Sequence, residues 1–422
     1  MALSVSKSIP CPTTQTAKNT MSSSIKPSTF IKKHSKSSAG PVIVQLLPEM
    51  HRGGVERGTI EMAEAIIAAG GRAVVISNGG GMVRHLLRCG AIHHELPVHT
   101  KNPLKWGAIR RKVQRILIAE GADIVHVRSR VPAWVALPAA KALGLISVST
   151  IHGRFQATSA LKRHYNGKLL KSDHVIAISK YVKSLITKQY HGVEENLTVI
   201  PRGVDVDVFD PNQVSQSRVV RFVDGNALPD DVPVVMLPAR PSLWKGHSIL
   251  LEALAKIADL PFVCVLLGAA DGTHKFVDQL TKKGVALGLE GRFRLIKGVD
   301  DMPAALMVAD VVAMPSITPE PFGRVALEAQ AMGRSVIAFN HGGAAESIQN
   351  GVTGWLAEPG DADSLAAALR TALSLDAGER AAMANSARTH IEKRFSTARM
   401  CKDTIAVYKR LLAKAAMPDR DS

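Results

Sequence analysis

Mostly apolar short runs recur along this chain at 41–47, 73–77, 92–96, 124–127, 147–152, 174–178 and 197–200. They return at 232–237, 261–268, 293–299, 311–315, 335–339 and 353–357. A run that stays apolar at consecutive positions suits a strand covered on both faces, as in parallel sheets. Between the runs, apolar residues repeat at three- and four-residue spacing. That period predicts helices over 60–69, 105–120, 132–143, 180–189, 247–257, 300–309 and 323–332, with three more starting near 362, 378 and 397. Strands alternating with helices build right-handed crossovers, so the expected fold class is α/β, with two doubly wound parallel-sheet domains facing a cleft. The expected division is 1–40 as a disordered basic tail, 41–215 as the first domain, 216–395 as the second, and 396–422 as a last helix and tail. Residues 208–231, with Pro211, Gly225 and Pro229, read as a polar linker.

Composition narrows this picture. The chain has 422 residues and is 46% hydrophobic, enough for two domains with real cores. No apolar run reaches the roughly 18 to 20 residues of a membrane span. The nearest, 131–151, is broken by Pro132, Pro138 and Lys141. Cys11, Cys89, Cys264 and Cys401 have no paired spacing, which argues against a disulfide framework or a zinc site and suits a reducing cytosol. The net charge of +17 is uneven: residues 1–40 hold six lysines and no acid, 41–215 carry +10, and 216–422 only +1. A partner with negative charge is therefore expected on the first half. The tail loosely suggests a transit peptide but lacks arginine, and an extended start upstream of Met21 accounts for it equally well. Aromatic residues make up 4% with no stacking platform, so nucleic acid is not the expected partner.

Candidate chemistry concentrates in Glu320-Pro-Phe-Gly-Arg-Val-Ala-Leu-Glu328. Prolines hold the backbone extended before the helix, whose first N–H groups, around Phe322 to Val325, can receive a polar ligand. A lone pair of glutamates at this spacing is usually two solvent-facing acids; Pro-Phe-Gly between them singles this pair out. Arg240 and Lys245 follow the strand at 232–237, two cations that can neutralise a leaving diphosphate. In the first half, Gly53-Gly54-Val-Glu56 is a turn between strand and helix, but neither a dinucleotide fingerprint nor a P-loop. His152 ends a strand, where the crevice of an open α/β sheet lies. His93 and His94 lack a metal partner at sensible spacing and read as structural. Asp205-Val-Asp207 has no further carboxylate cluster nearby for a hard metal. The helix at 105–120 carries Trp106 with Arg110, Arg111, Lys112 and Arg115, and Arg154 opens a second basic patch. A basic helix with an aromatic residue is a candidate surface for anionic lipid.

These motifs resemble the retaining glycosyltransferases of family four, with the GT-B fold. Their signature is Glu, seven residues, Glu, with Pro-Phe-Gly after the first. The resemblance covers about 41–415; Ala239 stands for a glycine, Arg202 for an asparagine, and 341–346 matches a Gly-Gly-x-x-Glu turn. It implies a C-terminal helix crossing back to the first domain. It implies transfer of a sugar from a nucleotide diphosphate sugar, GDP- or UDP-linked, to a hydroxyl with retained anomeric configuration. No cofactor, metal or enzymic base is implied. By the same resemblance Arg240 and Lys245 hold the diphosphate, and Glu320 with the N–H groups of Phe322 and Gly323 holds sugar hydroxyls. Glu328 takes the ribose, while Val325, Gly268, Gly53 and Gly54 line the donor site. His152 packs on the sugar, and Glu56, Arg110, Arg111 and Arg154 face the acceptor. The charge suggests a phosphorylated, membrane-held acceptor such as lipopolysaccharide core or a polyprenyl-linked glycan, with the enzyme cytoplasmic and peripheral at the inner face of the plasma membrane. The rivals are a glucan or sucrose-type transferase with a soluble acceptor, and a nucleotide-sugar-binding protein without turnover.

Overall fold

The computed structural model describes residues 40–51, 53–269 and 274–417. Its strands sort into two wholly parallel sheets. The first holds β1 (Val42–Leu46), β2 (Arg72–Ser77), β3 (Ile92–Glu95), β4 (Ile124–Val127), β5 (Ile146–Ile151), β6 (His174–Ala177) and β7 (Leu197–Val199), in the order β3-β2-β1-β4-β5-β6-β7. The second holds β8 (Val234–Pro238), β9 (Val263–Ala269), β10 (Phe293–Lys297), β11 (Val311–Met314), β12 (Ser335–Phe339) and β13 (Gly354–Ala357), in the order β10-β9-β8-β11-β12-β13. The first half supplies α1 (Gly54–Ala68), α2 (Val83–Arg88), α3 (Pro103–Ala119), α4 (Arg130–Ala142), α5 (Ala160–Gly167) and α6 (Lys180–Thr187). The second supplies α7 (Gln216–Gly225), α8 (His247–Ala255), α9 (His274–Ala286), α10 (Met302–Val308), α11 (Arg324–Ala331), α12 (Ala362–Leu373), α13 (Ala377–Arg394) and α14 (Thr397–Ala416).

Continuous burial of β4, β6, β8, β11 and β12 explains their unbroken apolar runs, since helices cover both faces of each sheet. Helix starts follow local chemistry. Asn102 accepts from the Leu104 N–H with Pro103 next in line, Ser179 accepts from Val182, and Asp376 forms a capping box with Glu379. Each sheet reverses direction once, between β1 and β4 and between β8 and β11. Loops diverge at such a point and leave a crevice at the strands' carboxyl ends. Gly53 follows β1, Arg128 follows β4, Arg240 follows β8 and Glu320 follows β11, so the strand order places all four at crevices.

The C-terminal helix crosses back to the first domain. The crossing is at 395–397: Val204 donates to Phe395 O, and Thr397 donates to Val204 O. A side chain at Gly203 would lie 2.4 Å from the Thr397 nitrogen, so only glycine lets the two chain segments touch there. Helix α14 then packs beside α1, and Tyr408 Oη meets His126 Nδ1 at 2.5 Å under the first sheet.

One expectation changes. Residues 208–231 are not a linker, because α7 lies within them; it buries Phe222 and packs on α10, with Arg218 paired to Asp301. Gly and Pro at the edges masked a short amphipathic helix. The 341–346 turn runs into one short 3₁₀ turn, Ala345–Ser347. Helix α2 was unmarked because its six residues are too few to show a period. The tail at 1–39 lies outside the described residues.

Candidate active site

The second crevice is built from the β8 and β11 loops. Gly246 has φ +78°, and a side chain there would sit 1.8 Å from Pro315 O. This close approach brings Lys245 against the β11 loop, where its Nζ lies 2.8 Å from Glu320 Oε1. Ser316 Oγ donates to the same oxygen at 2.5 Å. Glu320, expected at the mouth, is thus buried at 9% exposure and tied to its cation. Lys245 also lies over the Trp244 ring at 4.3 Å. Arg240 is exposed, and its backbone backs onto Gly268, which has φ +125° and no room for a side chain against Ala239. Gly268 therefore sets the course of the Arg240 loop.

Gly323, with φ +92°, caps α11, and a Cβ on it would meet Ala344 at 2.7 Å. Phe322 itself is buried against Phe395, which leaves its backbone rather than its ring for a ligand. Val325 and Glu328 are half-buried, with Glu328 Oε1 3.4 Å from Arg324. Burial raises the Glu328 carboxyl above the usual range, and the neighbouring Arg324 and Arg57 oppose that rise. Gly342 and Gly343 serve packing: Gly343 donates to Glu320 O at 2.7 Å, and a side chain on it would strike Pro321 O. The turn at 341–346 is thus a support under the Glu320 loop.

The first crevice gathers different groups. Gly53 is the N-cap of α1 with extended backbone, and Gly54 O accepts from Arg202. Arg202 is 5% exposed and also donates through Nη1 to His152 Nδ1 at 3.1 Å. A guanidinium can only donate, so Nδ1 is the acceptor and the His152 proton sits on Nε2. That Nε2 is shielded from water and has no partner among the described residues. Burial, with Arg202, Arg128 and His126 nearby, holds the imidazole well below its ordinary pKa and keeps it neutral. Burial also pushes Arg202 down to about 10, with Arg324 adding to the shift. Behind this group Arg128 donates to Gln45 Oε1, and Gln45 donates to Thr59 O.

A cavity of about 290 Å³ holds Glu56 and His152 together. A larger one, about 760 Å³, joins Gly53 and Arg57 of the first half to Val299, Arg324 and Glu328 of the second. Both lie near the usual range for ligand sites, roughly 300–1,000 Å³. Arg154 reaches across to the Trp244 ring at 5.8 Å. Arg110 and Arg111 are exposed on α3 and line neither cavity.

Three comparisons with known proteins bear on this arrangement. The family description "Glycosyltransferase Family 4" matches residues 52–208, and "Glycosyl transferases group 1" matches 221–390. A glycosyltransferase structure from Rickettsia africae is 32% identical, with TM-score 0.83, covering 92% of this chain and all of that one. The chain belongs to the family-four glycosyltransferases of the GT-B fold. An Anabaena protein, Alr3699/HepE, solved in complex with UDP, is similar at 25% identity and TM-score 0.76, over 88% of this glycosyltransferase and all of that chain. A curated relative, the D-inositol 3-phosphate glycosyltransferase of Salinispora tropica, is 32% identical over 58% of this chain and 52% of its own length. The chain thus spans about half of that relative.

Sequence reasoning missed how this glycosyltransferase joins its two crevices. Ser179 Oγ donates to Pro321 O at 2.7 Å, across the cleft. Glu346 accepts from the Lys180 N–H at 2.9 Å and the Tyr181 N–H at 2.7 Å, so a carboxylate of the second half caps α6 of the first. Neither contact is visible from spacing, since the partners are more than 140 residues apart. Arg202 was visible only as a departure from the family's asparagine. Asp205 accepts from the Asp207 and Val208 N–H groups, so this Asp-x-Asp shapes a turn.

Proposed function

We propose that this chain moves a sugar from a UDP-linked donor to a hydroxyl of an anionic acceptor, with retention at the anomeric carbon. The observation that carries this reading is the Lys245–Glu320 pair beside the N-terminus of α11. A cation for the diphosphate and a carboxylate for sugar hydroxyls meet there at one strand-end crevice. Both described bonds to Glu320 fall on Oε1, which leaves Oε2 to accept from the sugar. The Anabaena relative, also solved with UDP-glucose, supports UDP over GDP.

In this reading Arg240 and Lys245 hold the diphosphate, Glu328 takes the ribose, and Gly53 and Gly54 let the donor approach α1. The bond from the anomeric carbon to the phosphate oxygen breaks, and the acceptor oxygen bonds to that carbon from the same face. The acceptor proton passes to the leaving phosphate. Lys245 and Arg240 stabilise the charge as it develops on the diphosphate. His152, neutral with Nε2–H as donor, contacts the sugar from the opposite domain. The Ser179 and Glu346 contacts hold the domains together around it.

No helix among the described residues is long and apolar enough to cross a membrane. Helix α3 turns its tryptophan inward, where Trp106 stacks on Trp134 and donates to Thr100 O. Its outer face still shows Arg110, Arg111, Lys112 and Arg115, flanked by Leu104 and Ile118. We place this face against an anionic membrane on the cytoplasmic side, with a glycolipid acceptor. The inositol-phosphate relative favours a soluble anionic acceptor as the second reading. Thermal-shift binding of UDP- and GDP-sugars, followed by UDP release, tests the transfer reading; a folded sample with no donor hit would overturn it. Co-sedimentation with anionic against neutral vesicles tests the membrane face, which equal binding to both would remove.

A further inference from the structure

The first crevice holds positive charge that the transfer chemistry leaves unused. Every residue lining the 290 Å³ cavity lies between Pro48 and Leu169, so the donor-binding second half contributes nothing to it. Its polar lining includes Glu56, Arg128, Ser129, Arg130 and Thr150. Arg128 is 5% exposed, and its Nε is committed to Gln45 at 2.8 Å. Arg130 Nη2 donates to Arg154 O at 2.5 Å, while its Nε is shielded from water and unpaired. Among the described residues no carboxylate lies within ion-pair distance of Arg128 or Arg130, Glu56 included. Arg202, bonded to the bordering His152, lacks one as well. Cations buried without a counter-charge are unfavourable unless something completes them.

Two further features point inward. Ser129 is the N-cap of α4 and makes no side-chain capping bond, so the first N–H groups of that helix stay open. His152 Nε2–H, also unpaired, borders the same space. We propose that this cavity binds a phosphate monoester carried by the acceptor, received by Arg128, Arg130 and the N-terminus of α4. The volume fits a phosphate with one sugar-sized ring, and a longer acceptor extends out of the opening. The proposal rests on the transfer reading only in calling the occupant the acceptor.

The test uses the full chain and inorganic phosphate as probe, with UDP as the control for the donor side. Calorimetric titration of the wild type, Arg130→Gln and Arg130→Lys should show phosphate binding weakened about tenfold or more in the glutamine variant. The lysine variant should recover part of it, and UDP affinity should stay within about twofold, as the cavity has no second-half residue. Circular dichroism melts establish that both variants are folded, and the lysine variant serves if the glutamine variant is not. Failure of the wild type to bind phosphate would overturn the proposal. So would equal binding by Arg130→Gln, or displacement of phosphate by saturating UDP, which would assign the anion to the donor's diphosphate. Phosphate binding that depends on Arg130 in a protein that binds no UDP would instead sink the transfer reading and leave the cavity assignment standing. UDP release from UDP-glucose, stimulated by glucose 6-phosphate or by phosphatidylinositol 4-phosphate vesicles, both phosphate monoesters, separates a soluble from a membrane source. Equal stimulation by glucose or by phosphatidylcholine vesicles would contradict a phosphate site.

Discussion

At the second sheet's crevice Lys245 and Glu320 satisfy each other at 2.8 Å, whereas at the first Arg128 and Arg202 are buried with no carboxylate partner among the described residues. The second crevice is pre-arranged: opposite charges hold each other in place on loops that Gly246 and Gly343 allow to touch. The first is organised around donors in excess, with His152 kept neutral by its burial and, next, by the arginine that orients it. In the proposed reading one half contributes a rigid reacting geometry, and the other an electrostatic demand that a substrate meets.

Removing one member of the paired crevice gives the largest expected effect. Lys245→Ala should lower kcat by about 10²–10³. It should also lower Tm, because Glu320 is left buried and uncompensated. The double variant Lys245→Met with Glu320→Gln should regain stability without regaining rate. A single-variant loss of less than about tenfold would break the contrast between the halves.

Acid titration is next in size. Burial holds His247, in the second half, down to about 4, and holds His126 and His152, in the first, well below their usual value. In the unfolded chain these rings take up protons from about pH 6.5 downwards. The unfolded state then binds more protons than the folded one, so stability is full above that pH and is lost as pH falls towards 4. His247 alone accounts for about 3 kcal/mol of that loss. Urea unfolding at pH 7 and pH 4.5 should show His247→Gln to be less acid-sensitive than the wild type. Identical losses would move the whole effect to the first crevice.

The contact between the halves is a smaller lever. Glu346→Gln keeps the size of the side chain but removes the charge that caps α6. It should lower kcat/KM about tenfold with UDP affinity little changed, because closure rather than donor contact is weakened. An unchanged kcat/KM would detach this bridge from turnover. Arg202→Asn, which installs the family's residue, is expected to cost only a few-fold in rate near neutral pH. Its diagnostic sign is the acid limb of kcat/KM, which should move to higher pH because the imidazolium of His152 no longer faces that guanidinium. A limb that stays in place would separate Arg202 from the state of His152.

Unbroken apolar runs and three-to-four spacing determined the two parallel sheets and most helices, because parallel strands buried on both faces leave a plain one-dimensional pattern; the return of the last helix came only from the family resemblance. Motif chemistry on single loops was equally legible: Arg240, Lys245, Glu320 and Glu328 each follow a strand end that the pattern itself marks. Helices α2, α7 and α9 were not: α2 and α7 are brief and edged with glycine or proline, while the 13-residue α9 went unmarked despite its length. The pairing of Lys245 with Glu320, the tautomer of His152, the lack of a carboxylate beside Arg128 and Arg130 among the described residues, and the hold of Glu346 on α6 were decided only by tertiary structure. Each depends on distance between residues far apart in the chain. Burial and charge compensation are properties of that assembled space, and no local spacing encodes them.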